Sequence, residues 1–140
     1  MTETWTTPAQ VLTAGAKGWS GVWTLAYAAG QAAVNLSAVP GADDDLGLSF
    51  AALDVSYTLT ELESAWADAA RAVRTVDFGA VSLTDREVAV GVIDDLLAAA
   101  GFLAAELASR PHVGAPEVLR AGRVLALLAS ARSKATGGVW

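Results

Sequence analysis

Few side chains in this sequence have the chemistry that a catalytic site needs. The chain contains no cysteine, which excludes disulfides, thiolate metal sites and cysteine nucleophiles. Its single histidine, His112, lies in the loop sequence RPHVGAPE, with no nucleophile motif beside it. Any histidine-dependent reaction would have to run through His112 alone. We therefore predict that the protein is not an enzyme.

The two acidic clusters do not match known catalytic or metal-binding patterns. Asp43-Asp44-Asp45 offers the carboxylate oxygens that calcium prefers, but it lacks the alternating spacing and the distant glutamate of a calcium-binding hand. Asp94 and Asp95 are adjacent in a predicted helix, where neighbouring side chains point about 100° apart and cannot face each other across a substrate. We predict no metal and no cofactor, and expect Asp94 and Asp95 at the surface or paired with Arg120 and Arg123.

The charge is unevenly distributed along the chain. The net charge is −6, yet residues 110–140 carry five cationic side chains against one glutamate. A basic last segment on an acidic body indicates contacts between the two, within one chain or between chains. Arg120, Arg123 and Lys134 share one helical stripe, but three cations in an acidic protein are a weak basis for phosphate binding. We predict no nucleic-acid partner.

Capping patterns and apolar spacing predict four helices that position these residues. Thr7-Pro8-Ala9-Gln10 combines a capping threonine, a first-turn proline and a glutamine three residues after the cap. A sustained apolar repeat of three and four runs from Leu48 to Val76. Alternation over 53–59 leaves a strand there as a lesser alternative.

The second half of the chain has clearer helix boundaries. Thr84-Asp85-Arg86-Glu87 is a capping box, Arg110-Pro111 ends that helix, and Pro116 suits the first turn of the next. Four helices with short loops predict one all-α domain over 1–140, an up-and-down four-helix bundle that is oligomeric. The predicted elements are helices at about 8–38, 50–77, 84–109 and 116–135, with terminal arms at 1–6 and 137–140.

Residues 18–42 contain no charged side chain, so either lipid or protein could surround the first predicted helix. The run is long enough to span a bilayer. Small and polar residues dominate it, however, and neither end has a basic flank. We predict that protein and not lipid surrounds this helix, and that no membrane partner is involved. So much apolar surface exceeds what an isolated bundle covers, which favours self-association.

Small residues and one phenylalanine on the third helix lie opposite its predicted core face, where they would let another backbone approach closely. Trp5 and Trp140 lie outside the predicted helices and are candidate aromatic anchors for the two terminal arms. The predicted interface residues are Gly91, Ala98, Gly101, Phe102, Ala105, Arg120, Arg123, Trp5 and Trp140.

Two short motifs resemble those of the small helical-hairpin proteins exported by type VII secretion. Trp19-Ser20-Gly21 matches their Trp-x-Gly, and Tyr57 with Glu61 matches their Tyr-x-x-x-Glu export tag. In that family the first motif forms the hairpin turn and the second ends the second helix. Here both fall inside predicted helices and two more helices follow, so no family is assigned.

We expect a non-enzymatic structural or adaptor protein that assembles with itself or with other protein subunits, as in a virion or a cellular assembly. One alternative is a bundle that binds a small apolar ligand among aromatic residues, namely Trp19, Trp23, Tyr27 and Trp66. A lesser alternative is an exported helical partner protein. The first residues lack the cationic start of a secretory signal, which favours the cytoplasm or a particle assembled there.

Overall fold

The computed structural model describes residues 3–37, 46–66, 86–111 and 114–137. These residues form helices only, so the all-α prediction is confirmed, and the segment 53–59 is helical and not a strand. The helices are α1 (Glu3–Gly15), α2 (Gly18–Ser37), α3 (Leu46–Ala65), α4 (Arg86–Ala108) and α5 (Ala115–Ala135).

The first predicted helix is in fact two helices, so the prediction of one helix over 8–38 is wrong. The chain leaves the helical conformation at Ala16 and Lys17, and Gly18 has a φ of +64°. This left-handed conformation is cheap only for glycine and cannot continue an α-helix. The polar spacing is the same on both sides of the break, so it gave no warning.

Helix α1 begins at Glu3, before the predicted cap. Pro8 therefore lies inside α1, and residues 3–6 are helical instead of forming a free arm. Pro8 is the sixth residue of α1, so it removes a backbone hydrogen bond in the second turn, which lowers the stability of this helix.

The other predicted boundaries agree with the structure to different degrees. Helix α3 begins four residues before the predicted start and ends at Ala65, and Trp66 is no longer helical. The rest of the predicted helix, 67–77, lies outside the described residues, as do 84 and 85. Helices α4 and α5 match their predictions within two residues, with Pro116 in the first turn of α5.

The four longer helices pack in a closed ring. Helix α2 contacts α3 and α4 extensively, and α5 contacts the same two helices on the other side. Helix α1 lies against α4 and α2. The ring order is therefore α2, α3, α5, α4, which differs from the order along the chain.

Pairs of contacting side chains give the helix directions. Helices α3 and α5 are antiparallel, as shown by Glu61 with Arg123 and Asp54 with Lys134. Helices α4 and α5 are also antiparallel, as shown by Asp94 with Arg132 and Gly101 near Leu125. It follows that α3 and α4, which are consecutive in the chain, run in the same direction. The five helices do not follow the simple up-and-down order that the sequence predicted.

Small residues let the neighbouring helices approach α2 closely. Twelve residues of α2 are buried, and five of these are alanines. Gly30 faces α3 so closely that an added Cβ would lie 2.8 Å from Val55 Cγ1. The larger core side chains come from the other helices as well as α2, for example Leu48, Leu62, Ile93, Leu97 and Leu128. The uncharged helix is thus enclosed by protein along most of its length.

Candidate interaction surface

Helix α4 presents an apolar, partly unpacked surface to solvent. Phe102 is 76% exposed, more than any other large hydrophobic residue in the described part of the chain. Gly91 and Ala105 are exposed beside it, and Ala98 is half-buried. Gly101 is also half-buried, and an added Cβ there would lie 4.0 Å from Leu125 Cδ2. The structure therefore brings four of the predicted interface residues to one face, whereas Gly101 borders α5.

The exposed residues of α4 recur at the heptad spacing of a helix-packing seam. We call this the outer face of α4. It consists of Val88, Gly91, Asp95, Ala98, Phe102 and Ala105. The opposite side supplies fully buried residues, among them Ile93, Leu96 and Leu97. Helix α4 thus carries one seam that the fold buries and a second that it leaves open.

An open groove of about 260 Å³ lies beside Phe102, between α1 and α4. Ala16, Ala99 and Leu103 line it, the buried Leu25 also contributes, and Glu106 lies at its edge. A second groove of about 470 Å³ lies at the junction of α1 and α2, beside Lys17 and Gly21. Neither groove is lined by the aromatic residues that the sequence suggested as a ligand site.

The basic last helix binds acidic side chains of its own chain, which confirms the expected contact between basic and acidic segments. Asp95 is exposed, as expected, but Asp94 pairs with Arg132 and not with Arg120 or Arg123. Arg132 binds Asp94 through two hydrogen bonds of 2.8 and 3.2 Å, and these raise the pKa of Arg132 above its usual value, with the nearby carboxylates adding to the effect. Arg123 binds Glu61 at 3.2 Å. Arg120 is exposed and has no ion pair among the described residues.

A buried polar cluster between α3 and α5 was not predicted from the sequence. Asp54 is only 7% exposed, and its Oδ2 accepts hydrogen bonds from Ser130 Oγ at 2.7 Å and Lys134 Nζ at 2.8 Å. The buried Thr58 hydroxyl donates to the backbone oxygen of Asp54. The spacing of four between Ser130 and Lys134 places both donors on one side of α5. This spacing is the sequence feature from which the cluster could have been predicted. This cluster fixes the register of α5 against α3.

The four aromatic residues of the alternative ligand site form two stacked pairs. Trp19 stacks on Trp66 with ring centroids 3.7 Å apart, and Trp23 stacks on Tyr27 at 4.9 Å. A ligand between Trp19 and Trp66 would have to separate these rings. The indole Nε1 of Trp23 is buried and has no hydrogen-bond acceptor among the described residues, which is unusual for a buried tryptophan.

The Trp-x-Gly motif lies in the first turn of α2, immediately after the break from α1. Its residues are helical, as expected, but they lie near the start of α2 and not in the middle of one helix over 8–38. Gly21 is needed for close packing, because an added Cβ would lie 2.9 Å from the Ala16 carbonyl carbon and 3.0 Å from Leu103 Cδ2. Tyr57 and Glu61 lie inside α3, as expected.

Several predicted residues cannot be placed in this surface. Trp5 lies in α1, but its side chain is outside the described part of the structure. Asp43-Asp44-Asp45, His112 and Trp140 also lie outside the described residues. Within the described ranges, no three side chains of the types that bind metals lie together.

Helix α4 is also the one described helix that is long and apolar enough to cross a membrane, judged by length and composition. Its segment Glu87–Ala108 has a mean hydropathy of 1.9, and 39% of its most apolar stretch is buried inside the protein. The uncharged α2, which raised this question from the sequence, does not reach a comparable hydropathy. Much of the apolar stretch that is not buried belongs to the outer face of α4.

Comparison with known proteins gives no relative for this chain. No protein-family model, no curated protein and no solved structure matches it. The function therefore has to be inferred from the surface of the molecule itself.

Proposed function

We propose that this protein is a non-enzymatic structural or adaptor protein that assembles with copies of itself or with other subunits of a larger complex, such as a virion or a cellular assembly. The observation that carries the proposal is the 76% exposure of Phe102 in the middle of the outer face of α4. Exposed apolar surface of this kind, next to small residues, is typical of protein contact sites.

Burial energies show why Phe102 needs its neighbours. Burying one phenylalanine contributes about 1.5–3 kcal/mol, whereas micromolar association needs about 8 kcal/mol beyond the entropic cost of association. Other large apolar side chains are available at the surface. Val88 is 41% exposed on the same face, and Val118 and Leu119 at the start of α5 are 47% and 70% exposed. The small residues Gly91 and Ala98, between Val88 and Phe102 on α4, let a partner helix come near enough to contact both side chains.

The intrachain ion pairs support the proposal from another direction. Asp94, Glu61 and Asp54 bind cations of α5 within the chain. Asp95 is then the one charged residue of the outer face of α4. A face with so few charges loses little hydration when a protein partner covers it.

Sedimentation equilibrium and light scattering test the proposal at high micromolar concentration. We expect an oligomer for the natural sequence and a shift towards monomer for Phe102→Ser, with helicity by circular dichroism unchanged. Val34→Ser is the matched control, because Val34 is an exposed apolar residue (49%) on α2. A monodisperse monomer that also captures no defined partner subunit would contradict the proposal.

Ala98→Leu gives an independent test of the same face. Ala98 is half-buried on the outer face of α4, so a larger side chain should block close approach of a partner while the chain still folds. Gly101→Leu, by contrast, adds bulk next to Leu125 and should lower the melting temperature itself.

A second candidate function, binding of a small apolar ligand that carries an oxygen acceptor, has one observation in its favour. The buried Nε1 of Trp23 donates to no acceptor in the part of the chain that the structure describes, and an acceptor atom brought by a ligand would satisfy it. Titration with long-chain alcohols, followed by tryptophan fluorescence, tests this candidate. A response that is the same in Trp23→Phe would exclude the Nε1 site.

A further inference from the structure

We propose that the occupant of the outer face of α4 is a second copy of this chain, with the two α4 helices antiparallel about a two-fold axis at Ala98. This inference rests on the proposed function and specifies its partner and geometry. Three properties of the face support it: the placement of small residues, the position of Phe102 and the distribution of charge.

The small residues are symmetric about Ala98. Gly91, Ala98 and Ala105 are spaced by seven residues, which keeps them on one stripe of the helix. When two such stripes pair antiparallel about Ala98, the two copies of Ala98 meet each other. Gly91 of each copy then meets Ala105 of the other. An added Cβ at Gly91 would contact nothing within 4 Å in the described part of the chain, so these residues leave the space above it free for a partner.

Phe102 fits the same arrangement as a side-chain knob. In the antiparallel pairing it lies level with position 94 of the second copy. It would insert among four residues of that helix, Gly91, Asp94, Asp95 and Ala98, which form a hole of the kind used in coiled coils. Because Gly91 and Ala98 are small, this hole has room for a phenyl ring. The two-fold axis produces this contact twice, and each copy buries a ring that is 76% exposed in the isolated chain.

The charges at the two ends of α4 favour the antiparallel over the parallel arrangement. Glu87 lies at the beginning of α4 and Arg110 follows its end, and both are exposed without an ion pair in the described part of the chain. Antiparallel pairing brings Arg110 of each copy level with Arg86 of the other and next to Glu87, whose carboxylate offsets the repulsion between the two arginines. Parallel pairing would place like charges together at both ends, which is unfavourable. Asp95 of each copy borders the hole that receives Phe102 of the other, so the inserted ring displaces water from its carboxylate.

Single cysteines test the geometry, since the natural chain has none. Under mild oxidation, we expect Ala98→Cys to form a disulfide-linked dimer readily. An equimolar mixture of Gly91→Cys and Ala105→Cys should give the mixed dimer. Ala105→Cys alone should not cross-link, because its two copies would lie about 21 Å apart along the helices, well beyond the Cα separation that a disulfide allows. Thr60→Cys, exposed on α3, is the control for random collision.

Non-covalent association gives a second measurement. Phe102→Ala should weaken dimerisation by about tenfold or more in the dissociation constant, whereas Asp95→Ala should strengthen it by removing the one charge of the outer face. Tight association of Phe102→Ala would show that Phe102 lies outside the interface and would overturn the inference.

The outcomes separate this inference from the proposed function. If the natural chain is an oligomer but Ala98→Cys cross-links no better than Thr60→Cys, the antiparallel pairing is wrong and the assembly function stands. Efficient self-cross-linking of Ala105→Cys would indicate parallel pairing and would also overturn the inference. If the chain cofloats with phosphatidylcholine vesicles that contain phosphatidylglycerol, and Ala98→Cys no longer cross-links there, the face binds lipid and both proposals fail.

Discussion

At the scale of single residues, the close approach of α2 and α3 depends on Gly30. An alanine Cβ at this position would lie 2.8 Å from Cγ1 of Val55, a buried side chain whose β-branch limits its movement. We expect overpacking to exceed the gain of about 0.5–1 kcal/mol that alanine brings to a helix, so that Gly30→Ala destabilises the fold by about 1 kcal/mol or more.

Urea unfolding measures this effect, and Gly122→Ala is its matched control. Gly122 is exposed in α5, and an added Cβ there meets no described residue within 4 Å. The Gly122→Ala variant should stabilise the protein by about 0.5–1 kcal/mol. Equal changes in the free energy of unfolding for the two variants would show that α2 and α3 can move apart at Gly30 without loss of stability.

Among the buried polar residues, Asp54 is the one whose removal should lower the free energy of unfolding most, because two hydrogen-bond donors depend on it. Asp54→Ala leaves the ammonium of Lys134 without its carboxylate in a site where the lysine side chain is 20% exposed. We expect a loss of about 3 kcal/mol in the free energy of unfolding, at the low end for breaking a buried ion pair. Arg123→Ala breaks an ion pair in which the arginine is 69% exposed, and should cost at most about 1 kcal/mol.

A double replacement distinguishes the charge from the packing at this position. Asp54→Leu combined with Lys134→Met removes both charges and should recover most of the stability lost in Asp54→Ala. If the double variant is as unstable as Asp54→Ala, the cluster contributes through packing or through Ser130, and not through the ion pair.

At the scale of elements, the break between α1 and α2 depends on the left-handed conformation of Gly18. With a φ of +64°, Gly18→Ala should cost about 1–2 kcal/mol. Gly15→Ala is the control, because Gly15 ends α1 without a positive φ and with open space around its Cβ position. Chemical unfolding of both variants checks the prediction, and equal stability would show that the junction relaxes without strain.

The sequence predicted some element boundaries well because a specific residue causes each of them. Pro116 and Pro111 mark the start of α5 and the end of α4 through their fixed geometry. The break at Ala16 and Lys17 escaped prediction because a single glycine in an apolar run is compatible with a continuous helix. The end of α3 at Ala65 was not predicted either, because the apolar repeat in the sequence continues past this residue. In the structure, Trp66 follows the helix end and stacks on Trp19.

At the scale of the whole molecule, helix order and surface exposure could be predicted only in part. The charge imbalance correctly indicated that the basic last segment contacts the acidic body. It could not show that α5 lies between α3 and α4, because any antiparallel neighbour with suitable acidic residues would satisfy it. The outer face of α4 was predictable in outline, because its small residues repeat opposite an apolar seam. Gly101 lies at the boundary between the outer face and the contact with α5.

Self-assembly should also couple the stability of the fold to protein concentration. If the natural chain is a dimer and unfolds as it dissociates, each tenfold rise in concentration adds about 1.4 kcal/mol per dimer. For a subunit of 140 residues, half of this amount should raise the melting temperature by about 2 °C. Calorimetry over a wide concentration range measures the slope, and Ala98→Leu should melt at the same temperature throughout, because it should be a monomer. A natural chain whose melting temperature is independent of concentration, and equal to that of Ala98→Leu, would mean that its folding gains nothing from a second copy.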